Sequence, residues 1–243
     1  MEITVIPKLK RYEPVLELYP PQLSNKFLPE WYKKQKISSH LETFKHFNGH
    51  PDSKVLGAKN CPAIQDYVST GYIIPAWTNI YFTTSVNSLG IKEQRWDASI
   101  RKAYEDPLDL HIDDHPLEQT IYMPLGRVAD NRTLKLQLPY WFKVPEGYNA
   151  MYQDPFYHFR NDIRCLTGIV EIDKWGMIAF PFEVLKDEFV IEAGTPLVQV
   201  FIYKRENLNL KINARKGTDE EYGEVQVALK KLHISNKTYR TDR

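Results

Sequence analysis

The chain has 243 residues, and its 32 lysines and arginines against 31 aspartates and glutamates leave a formal charge of +1, so no global field draws it to nucleic acid or an anionic membrane. An aromatic fraction of 13%, with 16 prolines and 11 glycines, favours strands and defined loops over a helical bundle. No apolar run has the length of a membrane span or a signal-peptide core, and Cys61 and Cys165 are too few for a disulfide framework, so a soluble cytoplasmic product with reduced thiols is expected.

In chain order, the alternation of residues 3–6 predicts a short strand, after which Pro14, Pro20 and Pro21 predict an extended wrapping arm. Residues 28–34 predict a one- or two-turn helix anchored by Trp31, with Pro29 preset for its first turn. The polar run 38–53 lacks a period and reads as a loop. Residues 60–71 carry a cap, an early proline, helical apolar spacing and the closing Gly71, which predict a capped helix. A strand follows over 72–83, its Pro75 suited to an edge or bulge, and 91–96 pairs with it.

The strictest alternation is at 133–138, read as a half-buried strand. Pro139 and Pro145 bracket a strand over 140–144, and Pro145-Glu146-Gly147-Tyr148 turns the chain into the next at 149–152. Further strands are predicted at 165–172, 177–182, 188–191 and 197–203. Thr218-Asp219-Glu220-Glu221 forms a capping box ahead of Tyr222, Val225, Val227, Leu229 and Leu232, predicting a C-terminal helix over 219–232.

Gly168-Ile169-Val170-Glu171-Ile172-Asp173-Lys174-Trp175-Gly176, followed by residues 189–200 with Gly194-Thr195-Pro196 and Gln199, resembles the barrel core of the dUTP pyrophosphatase and dCTP deaminase superfamily. The resemblance implies a mainly β fold, with a dUTPase-like (β-clip) antiparallel barrel over residues 131–206. Residues 1–130 then form an N-terminal strand, arm and short helices packed on it, and 207–243 a C-terminal helix and basic tail, as one cooperative unit. A second resemblance, carried by Cys61-Pro62, Gly71 to Pro75, His115-Pro116 with Gln119, Pro145 to Tyr148 and Gly194-Thr195-Pro196, is to an uncharacterised domain family of bacteria and their phages. It implies that the N-terminal part belongs with the barrel and that the chain is phage-encoded, acting in the host cytoplasm or a virion.

A nucleotide pyrophosphatase needs a carboxylate to activate water, donors for phosphate, and usually Mg²⁺. In the dUTP pyrophosphatase resemblance the water-activating aspartate falls on Glu171, the tyrosine under deoxyribose falls on Lys174, and the phosphate-binding Arg-Ser-Ser gives way to Phe156-Tyr157-His158. Glu171, Asp173, Trp175 and Gln199 remain as candidates for a ligand pocket, beside the reading in which the glycines make turns and Gln199 satisfies buried backbone. A separate signal is His111-Ile112-Asp113-Asp114-His115, whose His-x-Asp pair supplies two ligands of a facial iron triad, with His158 or His233 as third; His111, Asp113, His115 and His158 are the metal candidates.

The leading expectation is a non-catalytic β-barrel that binds a protein partner or assembles into a homo-oligomer, a trimer by the barrel resemblance. The alternatives are an iron or other divalent-metal oxygenase using His111 to Asp113, and a diverged nucleotide-processing enzyme. Membrane contact is not expected, and nucleic acid only through Lys230, Lys231, Lys237, Arg240 and Arg243.

Overall fold

The computed structural model describes residues 2–35, 38–39, 55–56, 58–98, 112–124, 133–208 and 212–234. Its elements begin with β1 (Thr4–Pro7), α1 (Glu13–Leu18), β2 (Gln22–Leu23), α2 (Glu30–Lys34), β3 (Ser38–Ser39), β4 (Val55–Leu56) and α3 (Pro62–Ser69). There follow β5 (Tyr72–Pro75), β6 (Ile80–Val86), β7 (Lys92–Ala98), β8 (Ile112–Asp114), α4 (Leu117–Thr120), β9 (Leu134–Gln137), β10 (Tyr140–Lys143) and β11 (Tyr148–Gln153). The last are β12 (Ile163–Cys165), β13 (Gly168–Val170), α5 (Ile172–Trp175), β14 (Ala179–Val184), β15 (Glu188–Ile191), β16 (Pro196–Lys204) and α6 (Asp219–Ile234).

The chain divides into a unit of Met1–Phe27 with Thr70–Leu208 and a second unit of Leu28–Ser69 with Asn209–Arg243. In the first, the strands are shared among a five-stranded sheet ordered β13-β11-β16-β5-β2, a four-stranded sheet β12-β14-β9-β8, a three-stranded sheet β15-β6-β7 and the pair β1-β10. Every pairing is antiparallel, and none of these sheets closes on itself among the described residues. The fold is therefore mainly β.

Side-chain alternation builds the core of this unit. Leu134 and Leu136 of β9 and Phe180 and Phe182 of β14 are buried on one face, while Phe82 of β6 stacks on Phe189 at 4.7 Å and meets Phe182 edge-on at 6.1 Å. Each such side chain taken from water contributes about 1.5–3 kcal/mol. Tyr140 lies in the same core and donates its hydroxyl proton to Tyr19 O at 2.6 Å, tying the N-terminal segment to β10.

Several local expectations are corrected. Pro14 starts helix α1 rather than an extended arm, because the first turn has no use for its missing N–H. In the second unit Tyr32, not Trp31, is the buried residue of α2. The stretch 72–83 is two strands in different sheets, and the register of β5 against β16 shifts next to the Pro75–Pro196 pair, where neither proline can donate to the ladder. The stretch 165–172 is likewise divided: β12 and β13 join different sheets and Ile172 begins the turn of α5.

The C-terminal helix keeps its predicted start. Thr218 N donates to Glu221 Oε2 at 2.7 Å and Glu221 N to Thr218 Oγ1 at 3.3 Å, a reciprocal capping box. Among the described residues no helix is long and apolar enough to cross a membrane.

Candidate functional site

The candidate pocket residues centre on the turn α5. Antiparallel pairing sets Tyr148 of β11 opposite Lys204 of β16, and the next pair outward, Gly147 and Arg205, is closed by Arg205 N donating to Gly147 O at 2.7 Å. On the other side of β11, Ala150 faces Val170 of β13, from which the chain enters α5. Three segments thus converge where Glu171 and Asp173 sit.

Their carboxylates are already engaged. Asp173 Oδ2 accepts Gly147 N–H at 2.7 Å and Asp173 Oδ1 accepts Arg205 Nη2 at 2.5 Å, with the Asp173 side chain only 4% exposed. Arg205 also donates from Nε to Asn149 Oδ1 at 2.8 Å and from Nη2 to Tyr148 O at 3.3 Å, so its Nε and Nη2 are engaged inside the protein. Glu171 is paired with Lys174 at 2.5 Å and with Arg205 at 3.5 Å. Burial by itself would raise the Asp173 pKa, but the Gly147 N–H and the Arg205 guanidinium favour the carboxylate and hold it below the usual range. The arrangement clasps three chain segments, with its one arginine turned onto Asp173, Asn149 and Tyr148 O.

Trp175 is exposed at the end of α5, and Gly176 follows with φ +63°. A Cβ at Gly176 would run into the Trp141 indole, so glycine is required twice over, by conformation and by space. Gln199 lies elsewhere. Buried in β16, it donates from Nε2 to Thr70 O at 2.8 Å and to Ser24 Oγ at 3.2 Å, joining β16 to the β2 end of its sheet. The four candidates therefore split into a clasp and a buried tie.

Where the dUTP pyrophosphatase resemblance expects phosphate donors, Phe156, Tyr157 and His158 form a single turn, closed by Phe159 at φ +50°. The Phe156 and Phe159 rings are 6.0 Å apart and each about three-fifths exposed, Phe156 at 61% and Phe159 at 62%. Cys165 is buried, and burial together with the nearby Asp154 carboxylate pushes its thiol pKa up, the opposite of an activated nucleophile.

Of the metal candidates, His111 lies outside the described residues. Asp113 is exposed on β8 and its Oδ2 accepts Gln137 Nε2 at 3.3 Å, across from Lys135 in register. His115 follows β8, its backbone N–H bonded to Thr133 O at 2.7 Å; burial first, then the Lys135 charge, lowers its pKa. His158 belongs to the Phe156–His158 turn, away from β8 in the chain. Among the described residues no three histidine, cysteine, aspartate or glutamate side chains are grouped to hold a metal.

One polar feature escaped sequence reasoning. Extending the β12, β14, β9 and β8 registers by one step places Arg164, Glu183, Thr133 and His115 in a single row across the four-stranded sheet, on the face turned from the core side chains Phe180 and Phe182. Arg205 and Asn149 of the clasp were equally invisible, since neither stands in a local motif and only strand register brings Asn149 to Arg205 and Arg205 to Asp173.

No family model matches the chain, and no match was found among curated proteins. Among solved structures, native EIAV dUTPase is similar to it at 17% identity, over 36% of this chain and 70% of that one, with a TM-score of 0.27.

Proposed function

We propose that the chain is a non-catalytic β scaffold, built on a dUTPase-type barrel, that acts by binding a partner or by assembling with copies of itself. The observation that supports this most is the clasp: Glu171 and Asp173, on the turn where a hydrolase of that type keeps its water-activating carboxylate, are held by Lys174, Arg205 and Gly147 N–H. A carboxylate acting as general base must reach a water beside the substrate, whereas Glu171 is already ion-paired with Lys174 and Arg205. The exposed Phe156 and Phe159 pair stands in place of the phosphate donors and suits protein contact better than a polyphosphate.

The test combines activity and mass. Purified protein incubated with the deoxynucleoside triphosphates and Mg²⁺ is expected to release no pyrophosphate and to show no thermal shift, while its native mass exceeds one chain. Pyrophosphate release abolished by Glu171→Gln would refute the proposal.

A further inference from the structure

The helix α6 carries a feature that the clasp and the barrel do not use. Its apolar residues Tyr222, Val225, Leu229 and Leu232 are spaced three, four and three apart, the repeat of a two-helix seam, whereas Val227 falls on the far side at ~100° per residue. The described members of that seam face water: Tyr222 is 55% exposed, Val225 51% and Leu229 44%. A helix of 16 residues, weakened by Gly223 in its second turn, is marginal in water without packing along one face. Its start is acidic, with Asp219, Glu220 and Glu221, and its later part basic, with Lys230 and Lys231.

From these observations we infer that α6 pairs antiparallel with the same helix of a second copy of this chain. The inference rests on the assembly reading above and gives it a surface. Antiparallel pairing sets the acidic start of each helix beside the basic part of the other and opposes their dipoles; parallel pairing would set acid against acid and base against base. It also packs Val225 of one copy against Leu229 of the other, and brings position 219 near position 233 of the second helix. A phosphate-bearing surface is a poorer occupant, because the acidic first turn lies on the same helix.

The decisive experiment measures self-association of the full chain by sedimentation, for the native sequence and for Val225→Lys with Leu229→Lys, with thermal melts to show that the variant stays folded. The substitutions are expected to weaken association about tenfold or more, since each appears twice in a symmetric pair. In a Cys61→Ser background, a mixture of Asp219→Cys and His233→Cys chains should form a disulfide-linked pair that neither forms alone. If the native chain assembles but the lysine variant assembles equally well, or if Asp219→Cys links to itself, the helix pairing is wrong and the assembly reading stands. If the native chain is a monomer at every concentration reached, both fall.

Discussion

Asp173 and Arg205 lie 32 positions apart in the chain, yet a guanidinium N–H of Arg205 meets the Asp173 carboxylate at 2.5 Å while the other carboxylate oxygen takes the Gly147 amide at 2.7 Å. This joins the end of β16, the turn before β11 and α5 through one buried charge. Replacing Arg205 by Met should destabilise the protein by about 2 kcal/mol, because a carboxylate loses its charged partner. Chemical denaturation of Arg205→Met against native protein measures this, and an unchanged midpoint would show that the clasp is not structural.

The same contact sets an acid limit. With its pKa held low in the folded state, Asp173 binds a proton more readily in the unfolded chain, so its stabilisation is complete above the unfolded value of about 3.9 and is lost as pH falls through the folded one. Glu221 behaves alike: the Arg215 ion pair first, then the Thr218 N–H, bring its pKa to about 2. Helix content read by circular dichroism should therefore fall between pH ~4 and pH ~2, and Glu221→Gln should flatten that part of the titration. An identical acid profile in the variant would remove the capping box from the account.

Gly176→Ala should cost about 3 kcal/mol, the sum of a left-handed backbone conformation and the collision with Trp141. Gly147→Ala provides the comparison, since its φ is also positive at +84° but nothing lies within 4 Å of its Cβ. Equal losses for the two would mean that Trp141 moves aside freely.

Arg164 and Glu183 face each other across β12 and β14 at 3.0 Å, the carboxylate fully buried and the guanidinium 57% exposed. Neither Glu183 oxygen makes a well-aligned hydrogen bond, and the Thr133 hydroxyl and His115 Nδ1 in the same row also have none. Buried groups left so are costly, so the paired change Arg164→Met with Glu183→Leu should be neutral or stabilising, while Arg164→Ala alone should lose about 2 kcal/mol. A paired variant less stable than Arg164→Ala would show that the row is held by polar contacts.

What the sequence disclosed depended on the range of the interaction. The Thr218 and Glu221 box, the strand at 188–191 and the glycine turn at Gly176 are set by neighbours within a few residues and were legible. Pro14 misled because proline suits both an extended arm and a first helical turn, and the division of 165–172 was hidden because both halves are β-prone. Glu171 and Asp173 could be picked out, but their pairing with Arg205 could not, since it depends on the register of Tyr148 against Lys204.

The most direct test of the central claim is pyrophosphate release from deoxynucleoside triphosphates, assayed with native protein and with Arg205→Met, which removes the guanidinium shared by the two carboxylates of the turn. The clasp account predicts no release above the uncatalysed background from either protein. Turnover by the native chain that is lost on Glu171→Gln would contradict it.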